Sequence, residues 1–293
     1  MSRNDGEEGV TMNDSCPKKP KRRPFQYSLR ALLVFVLVAG LALGLISRHL
    51  LDERREQNAV AEIVKLGGTV FGWQEGRTFR WVNLQDTRVT DAGLEQLKGL
   101  NNLERLHLSR TQVTDIGLEH LKMHTGLQIL ELADTQVSDV GLMHLEGLAE
   151  LNTLWLADTE VTDSGLVHLK GMTKLFTLAL NTTQVTDAGL EHLKGLTSLG
   201  RLYLRETQVT DAGSQHLRGL TNLIELDLRG TQVTDTGLEH LRGLTNLETL
   251  NLIDTQVTDQ GVERIQDALP KCRIVHWRSV PVRGMKNRND SAN

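Results

Sequence analysis

Six histidines, His120, His144, His168, His192, His216 and His240, stand 24 residues apart. Histidine is a common metal ligand and titrates near neutral pH, so such a column suggests zinc binding or proton sensing. Eight aspartates, Asp91 to Asp259, keep the same step, each directly after Thr or Ser, and suggest calcium or acid–base chemistry. Both chemistries need ligands that converge. Zinc takes three or four ligands at about 2.0–2.3 Å, whereas histidines on successive packed helices lie about 8–10 Å apart. The preceding residue is Glu119, Glu191 and Glu239 but Met143, Val167 and Gln215 elsewhere, so it completes no constant site. Glycosidase chemistry needs one unique carboxylate pair across a cleft, not eight equivalents in a row. Each aspartate is explained locally as a helix N-cap. The histidines are therefore expected to be a structural column, with no metal, no cofactor and no catalytic residue. No G-x-S-x-G, P-loop or G-x-G-x-x-G arrangement stands in the right context. The two cysteines, Cys16 and Cys272, make neither a disulfide framework nor a four-cysteine zinc module, and Cys272 is expected to be buried.

The same period organises the chain. Thr-x-Val-Thr/Ser-Asp begins at Thr87, Thr111, Thr135, Thr159, Thr183, Thr207, Thr231 and Thr255, always 24 residues on. Each copy continues as Asp-x-Gly-Leu-x-x-Leu-x-x-Leu and then Leu-x-x-Leu-x-Leu, seen cleanly from Asp235 to Leu252. Leu106 and Leu108 fall on one face of a short strand, with Leu103 turning in just before it. Thr111 sits where the chain leaves the strand, its hydroxyl free to bond backbone of the neighbouring coil. Asp115 caps a helix running to about Lys122, whose Leu118 and Leu121 face inward, while glycines such as Gly117 and Gly99 allow close packing and helix termination. One coil alone buries almost nothing, but stacked coils form a continuous leucine column.

Parallel strands about 4.8 Å apart and helices about 8–10 Å apart bend the stack with its sheet inside. Nine strands, Phe79–Leu84 through Cys272–Trp277, make a concave face about 40 Å long. The chain resembles the leucine-rich repeat family over roughly residues 79 to 277. More narrowly, Phe25 to Arg30, Ala59 to Gly68 and the Val-Thr-Asp-Ala-Gly-Leu repeats are similar to membrane-anchored leucine-rich repeat proteins of planctomycete bacteria. The fold class implied is α/β, a leucine-rich repeat solenoid with a curved parallel sheet inside and helices outside, after an N-terminal transmembrane helix. The sequence departs from a plain consensus in carrying Thr where many members carry the ladder Asn. Ser214 replaces the first helix leucine and Met123-His124 replaces Gly-Leu, so those two coils are expected to be the softest.

Ala31 to Ser47 is uncharged across 17 residues, a helix about 26 Å long. It just crosses a bilayer core of about 30 Å if Arg30 and Arg48 snorkel to the interfaces. Lys18, Lys19, Lys21, Arg22, Arg23 and Arg30 precede it, while Arg48, Arg54 and Arg55 after it are mixed with Asp52, Glu53 and Glu56. That bias places the N-terminus in the cytoplasm and the repeats outside it. A cleaved signal peptide is the competing reading, since Ala42-Leu43-Gly44 has a small-x-small pattern. The expected division is 1–30, a disordered basic tail; 31–47, the transmembrane helix; 48–86, a juxtamembrane helix and N-terminal cap; 87–277, repeats with a C-terminal cap; and 278–293, a disordered tail. The N-terminal cap comprises a helix Asp52 to Leu66 stopped by Gly67-Gly68, then strands Thr69–Trp73 and Thr78–Leu84 about a Gln74-Glu75-Gly76 turn.

Leucine fills 51 of 293 positions and Phe, Trp and Tyr together 11, so leucine packs the coils. Phe71, Trp73, Phe79, Trp81 and Trp277 are expected to close the ends. The net charge of −4 excludes the strong positive field of a nucleic-acid-coating protein. A residue type recurring every 24 positions serves the coil, and one appearing once is free to serve a ligand. On that basis the concave-face residues expected to bind a partner are Arg105, His107, Trp155, Asp158, Arg201, Tyr203, Arg205, Asp227 and Arg229, with Trp155 and Tyr203 the best marks. Aromatics and arginine dominate protein interfaces. The expected function is non-catalytic binding of a protein partner by a single-pass bacterial membrane protein, with residues 31–47 in the lipid bilayer and no nucleic acid bound. Envelope carbohydrate is the alternative ligand. A substrate-receptor role in a ubiquitin ligase is a further alternative by family analogy, but a polar tail and an apolar span stand where that role needs an adaptor-binding domain.

Overall fold

The computed structural model describes residues 28–72 and 80–277, and the chain divides into two compact units, 1–50 and 51–293. The expected tails, up to residue 27 and beyond 277, and the Gln74-Glu75-Gly76 turn lie outside the described residues. Within the first unit the described chain is helical from Leu29, and its apolar side chains, Phe35 and Leu37 among them, are exposed. The helix α1, Leu29–Lys65, is one continuous helix of 37 residues, so the apolar span and the segment from Asp52 are not separate helices as expected. No proline or glycine after Gly44 interrupts it. Its most apolar stretch has the length and composition to cross a membrane.

In the second unit α1 ends in a Schellman motif: Gly68 N–H donates to Ile63 O and Gly67 N–H to Val64 O, both at 3.0 Å. Gly67 takes φ +86°, and a Cβ on Gly68 would stand 2.6 Å from Leu84 Cδ2, so both positions need glycine. The turn delivers β1, Thr69–Phe71, antiparallel to β2, Arg80–Asn83. Eight parallel strands follow in chain order: β3, Leu103–His107; β4, Ile129–Glu131; β5, Thr153–Trp155; β6, Thr177–Ala179; β7, Arg201–Tyr203; β8, Glu225–Asp227; β9, Thr249–Asn251; and β10, Arg273–Val275. Between β3 and β10 the register advances by 24 at every step, Leu106 opposite Leu130 opposite Leu154 and onward. The inward leucines and the valine of each motif are fully buried, Leu106, Leu108, Val113, Leu118 and Leu121 alike.

The outer side differs from the expected helices. Most coils have one α turn followed by one 3-10 turn, Asp115–Leu118 then Glu119–Leu121; the coil at Gly165–Leu169 is 3-10 throughout, that at Asp235–Glu239 has the α turn alone, and the last carries the longer helix Asp259–Ala268. A 24-residue coil leaves only about two turns for this side, too few to propagate a regular helix.

Two assignments of polar residues are also corrected. The N-cap is the Thr or Ser before each aspartate: Thr114 accepts from Ile116 N–H. Asp91 reaches the next coil instead, its Oδ1 accepting from Thr114 N–H at 2.8 Å and its Oδ2 from Thr114 Oγ1 at 2.7 Å. The pair repeats through Asp115 with Ser138, Asp139 with Thr162, and on to Asp235 with Thr258. An aspartate at the first helical position points forward along the stack, toward the next coil, and does not cap its own turn. Glycine in the next coil makes room for it, since a Cβ on Gly117 would stand 2.5 Å from Asp91 Oδ1. The buried Thr111 hydroxyl, in turn, donates to Leu108 O of its own coil at 2.7 Å, not to a neighbour.

Among the described residues the ends are closed by aliphatic side chains more than by aromatics; Trp73 and Phe79, also expected there, lie outside the described residues. Ala59 and Ile63 of α1, with Val70 of β1, cover the first coil, and Gly99 fits against Ala59. At the other end the helix Asp259–Ala268 and the residues after it bury Ile265, Leu269 and Cys272, while Trp277 is 62% exposed. Trp277 falls beyond β10, the last strand among the described residues.

One buried group is out of place. His124 occupies a column otherwise filled by Leu or Met, is 5% exposed, and its Nε2 has no partner among the described residues. Burial holds its pKa below the usual histidine value. The unfolded chain therefore binds a proton first, and this contribution to stability falls as pH drops through about 6.5. His124→Leu is expected to stabilise the stack by about 1–2 kcal/mol at pH 7 and to flatten that acid-side loss, as read by urea unfolding at pH 7.5 and 5.5. Leu97 O keeps the Leu100 N–H as a donor when the imidazole is gone.

Candidate functional site

Between the buried leucines each strand turns two side chains outward, and the constant register stacks these into columns. One column runs Arg105, Ile129, Thr153, Thr177, Arg201, Glu225, and the other His107, Glu131, Trp155, Ala179, Tyr203, Asp227. The turn after each strand passes through left-handed backbone, with φ +55° to +60° at Asp86, Arg110, Asp134, Asp158, Thr182, Glu206 and Asp254, and Gly230 the one glycine of that column. This backbone holds the turn residues along one border of the sheet face. It is strained at the β-branched Thr182.

Trp155 and Tyr203 lie two strands apart yet touch: their rings stack at 5.8 Å between centroids, 27° apart in plane. They lean together over Ala179, which is fully buried although it belongs to an outward column. A larger residue there would prop the rings apart. Tyr203 Oη donates to Glu225 Oε2 at 2.9 Å, and Arg201 Nε stands 3.6 Å from the same oxygen. Arg201 also lies over the Phe176 ring, 5.8 Å from its centroid. The structure thus brings together Trp155, Tyr203, Arg201 and Asp227 of the expected residues, and adds Glu225 and Phe176.

The remaining expected residues lie around this centre. Arg205 pairs with Glu206 at 2.8 Å and Arg229 with Asp254 at 3.5 Å. Asp158 is exposed in its turn. Arg105 and His107 belong to a second cluster on β3. His107 Nδ1 is 2.6 Å from a Glu131 oxygen, and its ring stands 5.3 Å from Trp81, which stacks on Phe71 at 4.7 Å. Phe71 and Trp81, expected to close the core, therefore lie on the sheet face beside the partner residues. Trp81 stands 24 residues before Arg105, so stepping the repeat back once would have found it; Phe71 needed the antiparallel register, which no repeat encodes.

Burial, first, and then the bond to Glu225 push the Tyr203 phenol up to about 12. In a Tyr27→Phe background, absorbance at 295 nm is expected to show one phenolate transition near pH 12, not near the usual value of about 10. The neutral phenol contributes stability that is complete below about pH 10 and lost as pH rises through 12. Glu225→Gln lowers the transition.

On the outer side, His168 Nδ1 lies 2.5 Å from Glu146 Oε1, whereas Nδ1 of His144, His192, His216 and His240 is buried without a partner among the described residues. Among the described residues no group of three or more His, Cys, Asp or Glu side chains could hold a metal ion. Cys272 is 4% exposed and its thiol is pushed up by burial to about 11, so at neutral pH it holds almost no nucleophilic thiolate.

A gapless stack of parallel coils, leucines within and irregular side chains on one sheet face, defines a repeat-built binding scaffold. The chain belongs to the leucine-rich repeat family. The Leucine Rich repeat family model matches residues 99–122, 219–241 and 243–265. Internalin C2 from Listeria monocytogenes is similar at 30% identity, over 67% of this chain and 80% of that one, with a TM-score of 0.57. A second internalin of that organism, inlF, is 26% identical over 68% of this chain and 53% of that one, with a TM-score of 0.54. Comparison with curated proteins gave no match.

Proposed function

We propose that this chain is a non-catalytic, single-pass membrane protein that holds a protein partner on the sheet face of its repeats. Residues 31–47 cross the bilayer, the segment before them is cytoplasmic, and the repeats from 87 to 277 stand outside. The contact residues are Arg105, His107, Trp155, Asp158, Arg201, Tyr203, Arg205, Asp227 and Arg229, with the Trp155–Tyr203 stack at the centre. The observation carrying this reading is that stack. Coil packing demands no aromatic at either position, since the same columns hold Glu131, Ala179 and Asp227 in other coils. Trp and Tyr supply large, stiff contact area at little entropic cost, as interface anchors do.

A photo-crosslinking residue at Thr153, on the sheet face, tests the reading against the same probe at the exposed Ala188 on the outer side. In intact cells position 153 is expected to yield a discrete protein adduct and position 188 none. Equal adducts from both, or none from 153, would overturn it. Cysteine labelling with an impermeant reagent after Ser2→Cys or Glu248→Cys, in a background lacking Cys16, tests the topology: only position 248 is expected to react.

A further inference from the structure

The centre of the sheet face has a charge pattern that the coils on either side lack. On β4, β5, β6 and the turns after them, the outward positions carry three carboxylates, Glu131, Asp134 and Asp158, and no lysine or arginine. Trp155 stands among them. Glu131 is engaged by His107. Asp134 and Asp158 are exposed, and their carboxylates make no hydrogen bond or ion pair among the described residues. The flanking cations do not neutralise them: Arg110 is bonded to Asp86 through Nε and Nη2, and Arg205 to Glu206 through Nε and Nη2. Both arginines feel Asp134 or Asp158 only as a more distant charge. On the far side of the stack Asp227 extends the acidic border, its Oδ1 taking only the Arg229 N–H.

An indole face bordered by uncompensated carboxylates is the environment that attracts a cation by ring quadrupole and by charge together. Resting on the reading of this face as the binding surface, we propose that the partner presents a lysine- or arginine-rich segment, one cationic side chain seated against Trp155 and its neighbours facing Asp134 and Asp158. The two aspartates lie on adjacent coils, about 4.8 Å apart along the sheet. A segment with basic side chains two residues apart, about 6.6 Å when extended, can present one cation to each.

The test uses the full chain in detergent micelles and three fluorescent peptides, four repeats each of Lys-Ser, Gln-Ser and Glu-Ser. The Lys-Ser peptide is expected to bind saturably, at least tenfold tighter than the Gln-Ser peptide, and to quench tryptophan emission. Trp155→Ala, and separately Asp134→Asn with Asp158→Asn, should each weaken it about tenfold. Asparagine tolerates the left-handed backbone of both turns, so the second variant keeps the fold. Glu119→Gln with Glu191→Gln on the outer side should change binding less than twofold. Equal binding of the Lys-Ser and Gln-Ser peptides, or no effect of the aspartate pair, would overturn the proposal. If in that case crosslinking at Thr153 still captures a protein, the sheet face stands as the binding surface and only the basic chemistry of the partner falls. If crosslinking fails as well, the parent reading falls with it.

Discussion

Alanine at both Trp155 and Tyr203 is expected to weaken partner binding about a hundredfold or more, the loss typical of two adjacent interface anchors at about 3 kcal/mol or more between them. The fold should survive. The side chains holding β5 and β7 in place are Leu154, Leu156, Leu202 and Leu204, all fully buried on the opposite face. What the variant loses within the monomer is one ring pair, about 1 kcal/mol, and the hydrogen bond from Tyr203 Oη to Glu225 on the exposed sheet face. Single replacements should be less than additive, because either ring alone still covers part of Ala179. Ala179→Leu should reproduce part of the loss by forcing the rings apart without removing either. Affinity measured by surface plasmon resonance against the crosslinked partner, once purified, checks both, with circular dichroism confirming an unchanged melting profile to within a few degrees.

The second large effect is on stability and lies in the aspartate ladder. Asp187→Ala is expected to cost about 2–3 kcal/mol, since it removes two charge-assisted bonds, Thr210 N–H and Oγ1 to its two oxygens, and leaves a half-buried amide unpaired. Asp259→Ala should cost about 0.5 kcal/mol or less, for the same residue type in the same motif has a side chain 98% exposed, stands 3.6 Å from His276 Nδ1, and bonds no following coil among the described residues. Capping predicts the two substitutions to be equal, whereas bonding between coils predicts this difference. Urea unfolding of the two variants separates them. Asp235 belongs to the ladder and carries Arg264 as well. Burial raises its pKa, but the two Thr258 bonds and Arg264 outweigh that and hold it below the usual carboxylate range. Its contribution is therefore present above about pH 4 and lost as pH falls through its lowered value.

Much of the fold was legible because one period carries it. Eight copies of the same pentapeptide locate the strand leucines, and a register step of 24 follows from them without further information. What one coil cannot reveal is where a side chain goes between coils. Asp91 looks like a cap when its own turn is read alone, and its true partner, Thr114, is 23 residues on. The same limit applied to the site. Trp155 and Tyr203 could be placed on one face by strand periodicity, but their contact depended on the small residue between them, Ala179, whose column is otherwise filled by larger groups. With leucine packing the coils, the aromatics at the start of the stack read as closing its end, which places Phe71 and Trp81 in the N-terminal cap. In fact Ile63 and Val70 fill that space, and the antiparallel pairing of β1 turns Phe71 outward. The outer turns were read as helices since Leu118 and Leu121 fit a helical spacing, which a single α turn followed by a 3-10 turn satisfies equally well.

The most direct test is hydroxyl-radical footprinting of the full chain with and without its captured partner, read residue by residue by mass spectrometry. The sheet face and the outer side each carry oxidisable reporters: Trp155 and Tyr203 on the first, the exposed Met123 and Met143 on the second. Binding through the sheet face predicts that oxidation of Trp155 and Tyr203 falls severalfold on complex formation while Met123 and Met143 do not change. Protection of the two methionines, with Trp155 and Tyr203 oxidised as in the free protein, would place the partner on the other side of the stack and contradict the account.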